Sequence, residues 1–264
     1  MEKIFELYAF LLGLCVGSFL NVCIYRIPLG KSVVTPRSHC PQCDRFLKWY
    51  ENIPLVSYVI QGGKCRHCHK SVSLRYPLVE LLTGLLSLAT VFKFGWGASY
   101  FLYFILFVTP MIAITFIDLD HQIIPDVFSI TGIFSGILVV FFTTGGVWWE
   151  KLLFSGKGIL LGGGALLAVS MIYEKLRKQE GIGGGDIKLA AMFGAFFGWK
   201  GVLMILFLSS FLGSLVGVVL MLVYRQGLKL AIPFGPFLAT AALIHLFFGN
   251  QILQWYLNRI LLKQ

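Results

Sequence analysis

The chain has only 12 Asp and Glu residues among 264, and two of them stand where chemistry is plausible. Asp118 directly follows the apolar run Ile112 to Ile117 and opens the stretch Asp118-Leu-Asp120-His121-Gln-Ile-Ile-Pro125-Asp126. Asp186 ends the glycine-rich stretch Gly181-Ile-Gly183-Gly184-Gly185-Asp186 and begins another apolar run. Charges at a hydrocarbon boundary are costly and face protein or water when present. Two carboxylates brought together can share one proton, because their repulsion keeps both from ionising. The ionised one then takes a proton from water while the protonated one polarises a peptide carbonyl. Peptide hydrolysis would follow through a tetrahedral intermediate, with no covalent acyl-enzyme. Plainer roles stay open: Asp186 as a helix N-cap, Asp120 and Asp126 as hydrated loop residues, or Asp126 after Pro125 as a helix start. No H-E-x-x-H sequence occurs, and the serines lack a nearby His–Asp pattern.

Four of the six cysteines form a second constellation, Cys40-Pro-Gln-Cys43 and Cys65-Arg-His-Cys68. Two such knuckles at this spacing match a zinc ribbon, in which four thiolates complete a tetrahedron. Arg37, Arg45, Lys64 and Arg66 offset the charge of a four-thiolate site and favour thiolates. Disulfides or a redox pair are the competing readings, and a reducing compartment disfavours the first. A closed four-sulfur site has no room for a catalytic water, so the zinc expected here is structural. Cys15 and Cys23 fall in an apolar run and are expected to pack as small apolar residues.

The elements that must position these groups are membrane helices. Hydrophobic residues make up 57% of the chain and charged residues 13%, half the charge of an ordinary soluble domain. Mean hydropathy is +0.81. Apolar runs long enough to span a bilayer occupy residues 4–25, 77–94, 98–117, 124–143, 157–173, 187–200, 201–223 and 232–248. The expected fold is an all-α polytopic membrane protein of about eight transmembrane helices with a zinc-ribbon-like loop. Its divisions are a first helix (1–25), a four-cysteine zinc-binding loop (26–76) and a multi-helix domain (77–264). The first run lacks a basic start and a cleavage pattern and reads as a retained span, and 251–262 is too short to cross. The net charge of +10 is not a nucleic-acid signature, because Arg26, Lys31, Arg37, Arg45, Lys48, Lys64, Arg66, Lys70 and Arg75 crowd the first loop. Such loops stay cytoplasmic, which puts Asp118 and Asp186 at the cytoplasmic boundary too. The glycines at 162–164, 194, 198, 213 and 217 are expected to allow close helix packing, Trp96, Trp148, Trp149 and Trp199 to lie near outer ends, and His245 to make a local hydrogen bond.

These residues in this order resemble the bacterial type IV prepilin leader peptidases, GxGD-type membrane aspartyl proteases. The resemblance runs through Gly17-Ser-Phe-Leu-Asn-Val22 with Arg26-Ile-Pro28, the paired Cys-x-x-Cys motifs flanking Glu51-Asn-Ile-Pro-Leu-Val-Ser57, then Gly62-Gly-Lys-Cys65 and Arg75-Tyr-Pro-Leu-Val-Glu80. It continues through Asp118 to Asp126, Gly183-Gly-Gly-Asp186-Ile-Lys-Leu189 and Pro233-Phe-Gly-Pro236. It implies cleavage of the short basic leader of a prepilin or pseudopilin, with Asp118 and Asp186 as the catalytic pair and Cys40, Cys43, Cys65 and Cys68 as zinc ligands. It also implies N-methylation of the new terminus with S-adenosylmethionine, for which Gly63 and Lys64 are the only residues it suggests. No β-α-β unit with G-x-G-x-x-G is present, and Gly181 to Asp186 is not one. The implied setting is the bacterial inner membrane, in contact with lipid. Separately, the topology lets the four-cysteine loop cover the site and position the leader, with zinc holding its two knuckles in register. Oligomeric state has no signal in the sequence. The rival classes are a proton-coupled transporter with Asp118 and Asp186 on its ion path, and a non-catalytic scaffold whose zinc loop docks a partner. Asp-to-Asn changes separate them, abolishing cleavage, abolishing flux or doing little.

Overall fold

The structure, a computed structural model, describes residues 2–178, 182–224 and 232–260. Among these, helices carry the fold: α1 (Glu2–Arg26), the short α2 (Val56–Ile60), α3 (Arg75–Phe94), α4 (Ala98–His121), α5 (Asp126–Thr143), α6 (Trp148–Arg177), α7 (Gly184–Tyr224) and α8 (Gly235–Ile260). Seven of them are long and apolar enough to cross a membrane, and the protein is a multi-pass membrane protein of all-α class. Its two compact units are residues 1–117 and 118–264, with the boundary falling inside α4.

In the first unit α1 and α3 meet through small residues. A side chain on Gly13 would strike Ser87 and the backbone at Gly84, and one on Gly17 would strike the Glu80 backbone. Backbones that close let polar groups bond across the pair: Ser87 Oγ donates to Ala9 O at 2.6 Å, and Asn21 Nδ2 donates to Tyr76 O at 3.1 Å. The loop between them holds the two cysteine knuckles. α4 widens into a π-turn over Phe104–Val108. Pro110, lacking an N–H, leaves an upstream carbonyl without its helical donor, and the wider turn accommodates the ring.

In the second unit α7 is not one rod. Gly198 takes φ 66, a left-handed value inside an otherwise continuous helix. A side chain on Gly162 of α6 would strike both Ala190 O and Val202 Cγ2, and one on Gly158 would strike both Gly194 O and Gly198 Cα. In a straight helix Ala190 and Val202 would stand about 18 Å apart at 1.5 Å per residue. The chain therefore reverses at Gly198, and residues 184–197 and 199–224 are two arms of a hairpin packed on α6. This supports the two runs read separately in the sequence, with the turn at Gly198-Trp199. The first arm is roughly 21 Å long, short of a 30 Å hydrocarbon core.

Three details differ from expectation. α6 begins at Trp148 rather than near 157, and the glycine that packs tightest on α7 is Gly158, while nothing lies near Gly164. α8 runs on through Gly249 and Asn250, so the stretch from 251 to 260 is helical and continuous with it; residues 261 and 262 lie outside the described residues. His245 Nδ1 is buried without a hydrogen-bond partner among the described residues, its ring edge-on to Phe197 at 4.9 Å, where a local bond was expected.

Candidate active site

Asp118 sits in the last turns of α4 and is 5% exposed. Its carboxylate does not face a bare apolar wall. The Gly235 amide, at the start of α8, donates to Asp118 Oδ2 at 2.9 Å. Only glycine fits here: a Cβ on residue 235 would lie 2.6 Å from that oxygen and 3.1 Å from Cγ. One carboxylate oxygen thus accepts a bond from the scaffold, which fixes where the carboxylate sits. Taken as sequence, the Pro233-Phe-Gly-Pro236 stretch carried no role. A Pro-flanked glycine at a helix start was the available signal, and only the fold shows what it touches.

Asp186 lies in the first turn of α7, not at its N-cap. Its amide donates to Gly183 O at 3.0 Å, and its Oδ2 turns back toward Gly183. A carboxylate in a first turn is stabilised by the unpaired amides there. The flanking glycines let the chain come close, since a side chain on Gly185 would lie 2.9 Å from Ile124 Cβ. Gly181 of the same motif lies outside the described residues.

Asp118 and Asp186 line one cavity of about 650 Å³ and are near enough for the charge of one to act on the other. Ile124, Leu166 and Phe234 give it apolar walls, and its rim carries Asp126 and Lys188. Those two form an ion pair at 2.6 Å, both part-exposed. Asp126 is therefore both the first residue of α5 and a partner of Lys188, a tie across 62 positions that the sequence did not reveal. Asp120 is exposed, as expected of a hydrated acid, but it lies within α4 rather than in a loop. Segments 122–126, 182–188 and 232–234 all meet at this cavity, so both ends of the α7 hairpin return to one end of the unit. A single crossing by α7 would have separated them.

The cysteine cluster belongs to the first unit. The ligand atoms of Cys40, Cys43, Cys65 and Cys68 all lie within 4.8 Å of one another, and Cys40 Sγ is 4.0 Å from Cys68 Sγ. A tetrahedral zinc with bonds near 2.3 Å spaces its sulfurs by about 3.8 Å, so the four-sulfur cluster fits a metal ion. The knuckles share one construction. Cys40 N donates to Arg45 O and Asp44 N to Cys40 O; Cys65 N donates to Lys70 O and His69 N to Cys65 O. Asp44 (φ 53) and His69 (φ 56) turn each knuckle through the left-handed region. All six cysteines are free. Hydrogen bonds from the Cys68 and His67 backbone lower the Cys65 thiol to about 7. Cys43 goes the other way, to about 11: the Arg45 backbone bond lowers it, but desolvation and the Cys40 and Cys68 sulfurs outweigh that. A bound dication would settle the contest by favouring all four thiolates.

Glu80 did not stand out in the sequence as a functional group. Buried in α3, it accepts from the Leu55 amide at 2.9 Å, where Leu55 takes φ 59 before α2. A carboxylate inside an apolar span was the signal. It ties the Glu51-to-Ser57 stretch to α3. Gly63 takes φ 68 and packs on the Tyr58 hydroxyl, while Lys64 bridges Ser71 to close the second knuckle. Neither lines the cavity that holds Asp118 and Asp186. Cys15 is exposed and Cys23 buried, so only Cys23 packs as expected.

A family model described as the Bacterial Peptidase A24 N-terminal domain matches residues 11–94, and one described as the Type IV leader peptidase family matches residues 105–218. A Myxococcus xanthus (strain DK1622) protein named prepilin leader peptidase/N-methyltransferase is 41% identical over 219 residues, 83% of this chain and 64% of that protein. The chain thus matches less than two thirds of that relative's length. Proteins of the same name from Aeromonas hydrophila (37% identical over 96% of this chain and 93% of the relative) and Pseudomonas aeruginosa (37%, over 96% and 94%) align nearly end to end. No solved structure matches the chain.

Proposed function

Because the chain belongs to the type IV leader peptidase family, we propose that it is a membrane aspartyl endopeptidase that removes the leader of a prepilin or pseudopilin, with Asp118 and Asp186 as its catalytic pair. The observation that carries the reading is the shared cavity. Two carboxylates from different helices meet in a space with apolar walls, one of them anchored through a single oxygen by Gly235. One carboxylate takes a proton from the attacking water, and the other, protonated, donates to the scissile carbonyl oxygen. The tetrahedral intermediate then collapses as the proton passes to the leaving nitrogen. The apolar walls suit the helix of a pilin-like substrate that lies in the bilayer.

The basic first loop supports an orientation with the four-cysteine loop and the active site toward the cytoplasm of a bacterial inner membrane. The cut would then fall at the membrane boundary, where a basic leader is held back. Zinc held by Cys40, Cys43, Cys65 and Cys68 would lock the two knuckles in register and take no part in hydrolysis. The relatives' shared name supports a second step, methylation of the new terminal amine, for which S-adenosylmethionine would supply the methyl group. Gly63 and Lys64, the residues the resemblance suggests for that donor, stand in the turn that closes the second knuckle.

The test is cleavage of a pilin-like precursor by the purified protein in detergent, beside Asp118→Asn and Asp186→Asn variants that keep the fold. Each variant should lose at least about a thousandfold in rate, the scale on which paired acid–base groups act. Cleavage surviving in either would sink the proposed pair.

A further inference from the structure

Cys15, Ser18, Phe19, Val22 and Arg26 recur along α1 at three- and four-residue steps, and so form one stripe. That stripe is a wall of a second cavity, about 450 Å³, whose other wall is the loop after α1. From Cys15 to Arg26 it runs about 16 Å at 1.5 Å per residue.

The lining of this groove is mixed in chemistry. Arg26, at the end of the stripe, lines it together with Arg37, Lys48 and Trp49, and no acidic residue does. Arg26 is 6% exposed, and its guanidinium donates to Ser32 O at 3.0 Å. Among the described residues none of the three cations pairs with a carboxylate. A guanidinium so buried without a counter-ion is costly, and a bound anion offsets that cost. Earlier on the same stripe of this membrane-length helix, Phe19 is 52% exposed and Cys15 is exposed. Trp49, a lining residue that is 76% exposed, is the residue type that settles at a membrane–water interface.

We infer that this groove binds an anionic phospholipid, its phosphate held by Arg26, Arg37 and Lys48 and an acyl chain lying along Phe19 and Cys15. Basic pockets beside membrane helices take anionic headgroups by this logic. The other occupants fit less well. A methyl donor carries one carboxylate against a sulfonium and an ammonium, so its net positive charge matches three cations less well than a phosphate does, and it leaves the apolar trough unfilled. A basic leader peptide would be repelled outright. A free phosphate would use the cations and leave the trough unexplained.

Native mass spectrometry of the full chain in detergent, titrated with phosphatidylglycerol or phosphatidylcholine, tests this. Phosphatidylglycerol should be retained in preference. Arg37→Gln and Lys48→Gln, both exposed and so tolerated by the fold, should each weaken it about fivefold, and the pair about thirtyfold. The added emission of a Phe19→Trp variant should be quenched by phosphatidylglycerol with brominated chains. Equal retention of the two lipids, or an unchanged double variant, overturns the site. Displacement by millimolar inorganic phosphate would reassign it to a soluble anion, and displacement by S-adenosylmethionine to the methyl donor. An unquenched Phe19→Trp variant would remove the acyl half.

Discussion

Replacing Gly235 by alanine tests whether the active site depends on one close approach. The new Cβ would stand 2.6 Å from Asp118 Oδ2, against the 3.4 Å at which ordinary contact begins. The carboxylate or the start of α8 must therefore move by about 0.8 Å. The variant keeps the amide that donates to Asp118 and is a better helix former than glycine, so α8 itself is not weakened. What changes is the placement of the carboxylate proposed as catalytic. A misplacement near 1 Å costs about a hundredfold in rate, which corresponds to about 2.7 kcal/mol of transition-state stabilisation.

The assay is kcat/KM for a pilin-like precursor in detergent, with a thermal melt for each variant. Gly164→Ala is the control, because open space surrounds that position and the cavity does not include it. The expected pattern is about a hundredfold loss for Gly235→Ala at an unchanged melting temperature, and wild-type kinetics for Gly164→Ala. Cleavage by Gly235→Ala within twofold of wild type would refute the reasoning, since the Asp118 position would then not matter. A fall in melting temperature matching the fall in rate would make Gly235 a packing residue only.

Three further outcomes follow from particular contacts. Lys188→Met breaks the part-exposed pair with Asp126 and should cost no more than about 1 kcal/mol of stability; a larger loss in the melt would mean the pair holds the two helices together. Gly158→Ala sets a Cβ against the Gly194 carbonyl and should destabilise by about 1–3 kcal/mol as the helices part, with an unshifted unfolding midpoint counting against the α7 hairpin packing. Cys40→Ser with Cys65→Ser should reduce bound metal to none by elemental analysis and speed proteolysis within 26–74, while leaving the membrane helices protected. Undiminished metal would exclude the four-sulfur site.

Some of this protein was legible from composition and pattern alone. Long apolar runs mark spans because a bilayer demands internally bonded helices of set length. Asp118 and Asp186 stood out because a carboxylate at an apolar run is expensive, and the cysteines because Cys-x-x-Cys spacing is local geometry. The reversal at Gly198 was legible as a short turn signal, but its proof came from Gly162 facing both arms.

Other features are long-range and leave no local trace. Gly235 reaches Asp118 across 117 positions, Lys188 reaches Asp126 across 62, and Glu80 reaches Leu55 across 25. In each, one residue's type is unremarkable until its partner is known: a glycine near a proline, a lysine after an apolar start, a leucine in a loop. The sequence by itself determined which groups can ionise, ligate or cross a membrane, since those are properties of single residues and their near neighbours. The tertiary structure decided which of those groups share a cavity and which oxygen of Asp118 is already taken, because hydrogen bonds and close backbone approach depend on separations that chain spacing does not encode.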